Sequence, residues 1–300
     1  MRVCIVTVYN SINSGSFWQA RALGLFLERL GIDVVYLKRK NSIESSSSKI
    51  YQISYIMKKF LKKGFSESKK TYQMFKDFKK SQSSFKIIPN KEKYFRDVDL
   101  FILGSDTIWN LDENFFRKNY KVYFGGIFKN KDVISYAASI ANTSIEKIKE
   151  YKDIPIMLNN LKGISVRDEN TYTMVKELSQ NNVRLVCDPT LLLTKRDYME
   201  MEKIPKKKDY IFLYLATQLS KNQIKDIKEF AEKNDLKIIS TIFDREYCDR
   251  YIVNNPNNFL NYMIYADYII TDTFHGTIFS ANLEKNFVVI NRNKQKVNNF

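Results

Sequence analysis

The stretch TDTFHGT, residues 271–277, carries His275, the only histidine in a chain with 49 lysine and arginine residues. An imidazole can donate to a phosphate or transfer a proton near neutral pH, because its ordinary pKa is about 6.5. We expect a helix to begin near Gly276, with Thr273 or Asp272 as its N-cap and with backbone N–H groups that attract an anion. From position alone, His275 could equally be a structural residue that ties this turn to its neighbour.

A second polar group stands in LGSDTIWN, directly after the apolar run DLFI. Ser105, Asp106 and Asn110 offer short hydrogen-bonding groups where a strand should end, so they are candidates for binding substrate. Asp106 is either a helix N-cap or an acceptor for a substrate hydroxyl. Trp109 either stacks on a sugar ring or fills the core.

Arg167 follows another predicted strand in SVRDENT. Its guanidinium suits a phosphate or a carboxylate, because it can donate two parallel hydrogen bonds. The alternative is a weak surface pairing with Asp168 or Glu169. The next such stretch, CDPT at residues 187–190, is most simply a turn fixed by Pro189.

The loop NSINSGS before the first helix adds Asn13 and Gly15 as candidate substrate-binding residues. It has neither the GxGxxG nor the Walker spacing, so it does not indicate dinucleotide or nucleoside triphosphate binding. The three cysteines are far apart and form no CxxC or Cys-His cluster, so we expect neither a disulfide framework nor a metal site.

Each of these polar stretches follows a short apolar run, and the apolar runs alternate with helical patterns. This alternation indicates an α/β fold with parallel sheets covered on both faces. We predict two Rossmann-like domains, residues 1–193 and 210–300, joined by a linker at 194–209. Ligands bind outside the carboxyl ends of such strands, so the cleft between the domains is the expected working site. The predicted strands lie within residues 3–8, 33–37, 97–106, 131–139, 161–168, 182–193, 210–216, 236–240, 267–271 and 287–290.

Residues of about 43–86 interrupt the first domain with a basic amphipathic helix. One interpretation is a surface helix docked on its own domain with a solvated lysine face. The other is a helix that touches anionic lipid headgroups. The apolar positions are Ile53, Ile56, Met57, Phe60 and Leu61, with Lys58, Lys59, Lys62 and Lys63 between them.

The net charge of +16 suits anionic substrates, a polyanion or an anionic membrane surface. We do not expect nucleic acid as a partner, because no RNP pattern, helix-turn-helix or zinc-finger spacing occurs. The opening run RVCIVTV is too short for a signal-peptide core, and no segment reaches the ~18 apolar residues of a membrane span. We therefore expect a cytoplasmic protein, one that could also lie against the inner face of the membrane.

The sequence resembles the polysaccharide pyruvyl transferase family over most of residues 1–290. The resemblance implies a GT-B-like pair of domains, and it implies recognition of phosphoenolpyruvate (PEP) by His275 and Arg167. Some members carry an arginine two residues before the histidine, where this chain has Thr273. The chain ends at Phe300, soon after its last predicted strand, where that fold has a further helix crossing back. The matching pieces, in the family's order, are DLFILGSDTIWN, ISYAASI, ISVRDENTY, VCDPTLLL and YIITDTFHGTIFSANLEKNFVVI.

The resemblance further implies transfer of a pyruvyl group from PEP to two hydroxyls of a sugar, forming a ketal on a cell-surface polysaccharide, such as an exopolysaccharide, or on its precursor. The acceptor is a glycan or a lipid-linked sugar, and the sequence leaves open whether the sugar is nucleotide-linked, lipid-linked or polymeric. PEP is then the donor substrate, and no metal or cofactor is expected. In this scheme His275 transfers a proton or assists the leaving phosphate. Arg167 and the helix start at Gly276 bind the anions, and Asp106 holds an acceptor hydroxyl. The alternatives are a GT-B nucleotide-sugar glycosyltransferase and a non-enzymatic protein that binds glycans or membranes.

Overall fold

The computed structural model describes residues 1–39, 48–201 and 209–291. Within these residues the strands form two parallel sheets, as the alternating pattern predicts. The strands of the first sheet are β1 (Arg2–Val6), β2 (Asp33–Leu37), β3 (Ile87–Ile88), β4 (Leu100–Leu103), β5 (Asp132–Ala138), β6 (Gly163–Val166) and β7 (Val183–Leu185). Those of the second are β8 (Tyr210–Tyr214), β9 (Lys237–Ser240), β10 (Arg250–Tyr251), β11 (Tyr268–Thr271) and β12 (Asn286–Val289).

The strand order places a switch point in each sheet. The first sheet runs β3-β2-β1-β4-β5-β6-β7 and the second runs β10-β9-β8-β11-β12. From β1 the chain adds strands toward one edge of the first sheet, and from β4 it adds strands toward the other edge. The second sheet changes direction in the same way between β8 and β11. A crevice forms outside the strand ends at such points, and ligands bind there. LGSDTIWN ends β4 and TDTFHGT ends β11, so both polar stretches stand at switch points.

Helices cover both sheets, which explains why β1 and β8 are almost wholly apolar and buried. The helices are α1 (Ser14–Arg29), α2 (Lys49–Gln82), α3 (Asn114–Lys118), α4 (Tyr120–Tyr123), α5 (Ile145–Lys149), α6 (Ile154–Asn159), α7 (Glu169–Leu178), α8 (Lys195–Glu200), α9 (Lys221–Lys233), α10 (Pro256–Tyr265) and α11 (Phe274–Asn282), with short 3₁₀ helices at Glu92–Tyr94 and Pro189–Leu192.

One predicted element differs from the structure. The strand predicted over 182–193 ends at Leu185, because the chain then turns into a 3₁₀ helix that Pro189 opens. The helix expected near Gly276 begins at Phe274, with Thr273, one of the two predicted residues, as its N-cap. The interval 194–209 contains α8, and its residues 202–208 lie outside the described part, so the domain boundaries stay a prediction.

The two lobes, each one sheet with its helices, share a buried contact through α1 and α10. The indole Nε1 of Trp18 donates to the carbonyl of Pro256 at 2.9 Å. Ser14 Oγ donates to Asn254 Oδ1 at 3.1 Å, so the start of α1 is fixed to the second lobe. One hydrophobic cluster contains residues of both lobes, so the two lobes share part of their core.

Helix α2 departs from the expected surface helix docked on its own domain. It is interrupted at Gly64, whose φ of 81° is left-handed. After Gly64 the helix reaches the second lobe, where Lys70 Nζ pairs with Asp244 Oδ2 at 2.7 Å. Before Gly64 the large apolar side chains of Ile53 and Leu61 are exposed, so this face is not docked. Residues 43–47 of the predicted insertion lie outside the described part.

Candidate functional site

Four charged or ionisable side chains come together where strands of both sheets end. Asp106 follows β4, Arg167 follows β6, Asp188 follows β7 and His275 follows β11. An isolated bridge between Asp106 and Ala138 carries the chain after β4 toward the end of β5. The carboxyl ends of parallel strands lie on one edge of a sheet, which explains how residues so distant in sequence meet.

Arg167 forms the centre of this cluster. Its Nη1 lies 2.8 Å from Asp188 Oδ2 and its Nη2 lies 3.7 Å from Asp106 Oδ1. Its guanidinium also stacks on the ring of Phe274, 4.4 Å from the ring centroid. Neither weak surface partner considered from the sequence is used, since Asp168 instead caps α7 by accepting from the backbone N–H of Thr171.

Asp188 is the residue that the sequence interpretation missed, because CDPT was taken as a turn. Its side chain is fully buried and accepts from Thr190 Oγ1 at 2.8 Å and from Ser105 Oγ at 3.3 Å. Burial alone would raise the pKa of Asp188, but His275, Arg167 and the Thr190 hydrogen bonds hold it below its usual range. An aspartate after an apolar run in VCDPTLLL was the available signal.

His275 lies in the first turn of α11 and is 8% exposed. Its Nε2 is 3.9 Å from Asp188 Oδ2, too far for a hydrogen bond. Among the described residues this buried nitrogen has no hydrogen-bond partner. Burial lowers the pKa of His275, and Asp188 and Asp106 oppose that shift. The ring is therefore neutral at neutral pH and stands beside a carboxylate that would stabilise its protonated form.

Gly15 brings the start of α1 against the other side of the imidazole. A Cβ placed on Gly15 would lie 2.4 Å from Cγ and Nδ1 of His275, so no larger residue fits without movement. Asn13 is the N-cap of α1, and its Oδ1 accepts from the N–H groups of Gly15 and Ser16. The contact of Gly15 with the ring is therefore steric, and its amide is already used by the cap.

Gly276 has a similar steric role at α11. A Cβ there would lie 2.1 Å from Thr271 Oγ1 and 2.6 Å from Thr273 Oγ1. Thr273 is the N-cap, and its Oγ1 accepts from the Gly276 N–H at 3.0 Å. The Gly276 amide that we expected to meet an anion is thus engaged in the cap.

The remaining candidates of LGSDTIWN are held by protein contacts. Asn110 Oδ1 accepts from Thr143 Oγ1 at 2.8 Å. Ser105 is fully buried, and Trp109 fills the core, where it stacks on Phe124. Asp106 has a φ of 74°, so it is not a helix N-cap, and it accepts from the N–H that follows it. Held in this sparsely populated conformation, it directs its carboxylate toward Arg167.

Arg39, after β2, is a second guanidinium that the sequence interpretation did not single out. Its Nη1 donates to Asn10 Oδ1 at 2.7 Å and its Nε to the hydroxyl of Tyr123 at 3.2 Å. Its guanidinium stacks on Phe115 at 4.4 Å. Both hydrogen-bond partners among the described residues are neutral. Burial raises the pKa of Glu113 and Arg39 opposes that rise, so one carboxyl group also lies near this guanidinium.

No group of His, Cys, Asp and Glu within the described ranges could hold a metal ion, and none of the helices described there is long and apolar enough to cross a membrane.

Solved structures share this architecture at low sequence identity. A Listeria monocytogenes protein described as a UDP-N-acetylglucosamine 2-epimerase aligns with a TM-score of 0.58 and 8% identity, over 99% of this chain and 80% of its own. An α-glucosyltransferase in complex with UDP aligns with a TM-score of 0.56 and 10% identity, over 96% of this chain and 80% of its own. At such identities the likeness shows the fold alone, and that fold is GT-B-like, as expected.

No curated protein matches the sequence. The profile of the polysaccharide pyruvyl transferase family matches residues 13–294, a range that includes all the elements from α1 to β12. The four side chains that meet at the strand ends lie within the stretches that first suggested this family. Because the match extends over nearly the whole chain and both sheets, the chain belongs to the polysaccharide pyruvyl transferase family.

Proposed function

We propose that this enzyme transfers the pyruvyl group of PEP to two hydroxyls of one sugar and forms a ketal. The approach of His275 Nε2 to within 3.9 Å of Asp188 Oδ2 carries the proposal, because it places a neutral imidazole beside a buried carboxylate at the ends of the strands. The family match supplies the reaction class. The acceptor is a sugar of a cell-surface polysaccharide or of its precursor.

The reaction must balance protons as well as carbon–oxygen bonds. A proton added to the methylene carbon of PEP makes it a methyl group and leaves positive character on the carbon that bears the phosphate. One sugar hydroxyl adds to that carbon, the carbon–oxygen bond to phosphate breaks, and the second hydroxyl closes the ring. Of the two hydroxyl protons released, one replaces the proton consumed at the methylene carbon and the other leaves with phosphate.

His275 is the proposed proton carrier. Burial lowers its pKa, so the ring starts neutral and can accept a proton from a sugar hydroxyl. The imidazolium that results faces Asp188 and Asp106, whose negative charges stabilise it. It can then deliver the proton to the methylene carbon or to the leaving phosphate. The separation of 3.9 Å from Asp188 would have to shorten when substrate is bound.

The anionic groups of PEP need donors, and the two arginines differ in what they offer. Arg167 already contacts Asp188 and Asp106, so two carboxylates offset its charge. Arg39 donates to neutral partners among the described residues and has one carboxyl group, Glu113, nearby, and we assign it the larger share of anion binding. Asp106 is the proposed acceptor for a sugar hydroxyl.

The test is PEP-dependent phosphate release with a panel of nucleotide-linked, lipid-linked and polymeric sugars. Proton NMR would follow loss of the PEP vinyl signals and appearance of a ketal methyl signal. If His275 transfers protons, His275→Gln should lower turnover by roughly 10²–10⁴-fold. Arg39→Gln should chiefly raise the KM for PEP.

Lys228→Gln, an exposed substitution on α9, is the matched control and should keep wild-type turnover. Calorimetry with PEP and with UDP-sugars separates the proposal from a nucleotide-sugar glycosyltransferase. Tight binding of a UDP-sugar without any binding of PEP would overturn the assignment of the donor.

A further inference from the structure

The first segment of α2, before Gly64, and Phe65 just beyond it carry large apolar side chains that the other described residues leave exposed. Five of these side chains precede Gly64: Ile50, Ile53, Met57, Phe60 and Leu61. At 100° per residue, they fall within an arc of about 100° on one face of the helix. Leu61 is 77% exposed and Phe65 is 73% exposed. We call this surface the exposed stripe, and its members are Ile50, Ile53, Met57, Phe60, Leu61 and Phe65.

Lysines border the exposed stripe on both edges. By the same helical spacing, Lys49 lies about 20° beyond one edge and Lys58 about 60° beyond the other. Both are exposed. Residues 49–63 contain no Asp or Glu, so the segment is uniformly basic.

We propose that the exposed stripe inserts into the surface of an anionic lipid bilayer. Apolar side chains would enter the boundary between headgroups and acyl chains while the bordering lysines meet lipid phosphates. A second copy of this chain is a poor occupant, because pairing two stripes would bring two uniformly basic edges together. The overall charge of +16 adds a long-range attraction to an anionic membrane.

The opposite face of the same segment is part of the enzyme. Tyr55 and Lys59 line a pocket together with Gln218 and Phe243 of the second lobe. Tyr55 also packs edge-on against buried Phe75, in the segment of α2 beyond Gly64. Docking would therefore place this pocket, beside the ends of β8 and β9, at the level of the headgroups.

This geometry also favours one class of acceptor, and that step rests on the proposed function. A pocket held at the headgroup level suits a sugar carried on a membrane lipid better than a sugar free in solution. Membrane docking itself needs neither PEP nor an acceptor, so the two inferences can fail separately.

The first experiment is vesicle flotation of the full chain, without substrates. Wild-type protein should float with vesicles of equal parts phosphatidylglycerol and phosphatidylcholine, and much less with phosphatidylcholine alone. Leu61→Gln with Phe65→Gln should weaken binding by roughly tenfold or more, because two exposed apolar side chains no longer enter the bilayer. Lys49→Glu with Lys58→Glu should also abolish the preference for the anionic lipid.

Matched pairs elsewhere on the surface control for hydrophobicity and charge. Ile156→Gln with Leu185→Gln removes two exposed apolar side chains of the first lobe. Lys176→Glu with Lys228→Glu reverses two exposed charges on α7 and α9. Both controls should float like wild type. Equal flotation of every variant would overturn the proposal. It would also be overturned if the wild-type protein did not bind vesicles but formed an oligomer that Leu61→Gln with Phe65→Gln dissociated.

A second arm measures turnover with a lipid-linked acceptor in vesicles and with the same sugar free in solution. Leu61→Gln with Phe65→Gln should lower turnover with the vesicle-bound acceptor and leave turnover with the free sugar unchanged. Vesicle binding with no turnover on either acceptor would retain docking and reject the proposed function. An equal loss on both acceptors would reject the link between docking and acceptor presentation.

Discussion

At the scale of single residues, the site joins one imidazole to one buried carboxylate. Asp188 stays ionised because Arg167 and Thr190 stabilise its negative charge. His275 stays neutral because burial penalises its protonated form. Each environment thus favours the protonation state from which a hydroxyl proton can be taken up.

The histidine should leave a signature in the pH dependence of stability. Its pKa is lower in the folded chain than the value of about 6.5 in the unfolded chain, so the unfolded state binds the proton more tightly. The folded chain therefore keeps its full stability above the unfolded pKa of His275. It loses stability as the pH falls from that value through the folded pKa. The free energy of unfolding of wild type should therefore fall more than that of His275→Gln between about pH 7 and pH 5.

Urea unfolding at both pH values measures this difference. His275 is the only histidine, so no second imidazole contributes in that window. The lowered pKa of Asp188 acts at lower pH, because its contribution is lost as pH falls through its folded value. Parallel stability curves for the two proteins would contradict the buried, neutral imidazole.

Gly15→Ala tests the steric contact across the lobes. The new methyl group would lie 2.4 Å from the ring of His275, so the ring or the start of α1 must move. We expect a loss of about 1–3 kcal/mol in the free energy of unfolding, together with reduced turnover. Gly163→Ala is the control, because its Cβ would meet only Ile134, at 3.7 Å. Wild-type turnover in Gly15→Ala would show that the imidazole position is not critical.

At the scale of elements, two helix starts position the site, and each is capped by its own side chain. Asn13 caps α1 and Thr273 caps α11. These caps fix the two helix termini on either side of the imidazole. They also use amide groups that would otherwise be open to an anion, which shifts the proposed anion binding toward arginine side chains.

Thr273→Val should remove the cap of α11 with little change in volume. Loss of this acceptor should cost about 0.5–2 kcal/mol of stability. Thermal unfolding compared with Thr173→Val, the same substitution at an exposed position of α7, measures the difference. If both variants unfold at the same temperature, the hydroxyl of Thr273 does not support the helix.

At the scale of the whole molecule, the lobes are joined beneath the site. The hydrogen bond from Trp18 to Pro256 and the shared hydrophobic cluster place α1 against the second lobe. His275 of the second lobe can therefore meet Gly15 of the first. The salt bridge between Lys70 and Asp244 is a further link, but its partners are about a third exposed, so solvent screens it.

Trp18→Phe should weaken this junction by about 1–3 kcal/mol, because a buried carbonyl loses its donor. Calorimetry should then show less cooperative unfolding of the two lobes. Trp109→Phe makes the same change within the first lobe, where the indole donates to Tyr123. That variant should be destabilised without separating the lobes, and identical profiles for both would argue against a junction centred on Trp18.

The sequence by itself determined the parallel sheets and the polar stretches at strand ends. Apolar runs of strand length alternate with helical patterns, and both are local properties. The same local pattern identified His275, Asp106 and Arg167 as candidates. It could not show that Asp188 is the partner of Arg167, because the two follow different strands and CDPT reads locally as a turn.

Tertiary structure decided which of these groups meet and which faces stay uncovered. The contact of Gly15 with His275 depends on the packing of α1 against the second lobe, and no local pattern encodes that distance. The apolar periodicity of α2 predicted an amphipathic helix correctly but could not say what it faces. Periodicity reports that a face is apolar, whereas only the folded chain shows whether protein covers it, and here the stripe ending at Phe65 remains exposed.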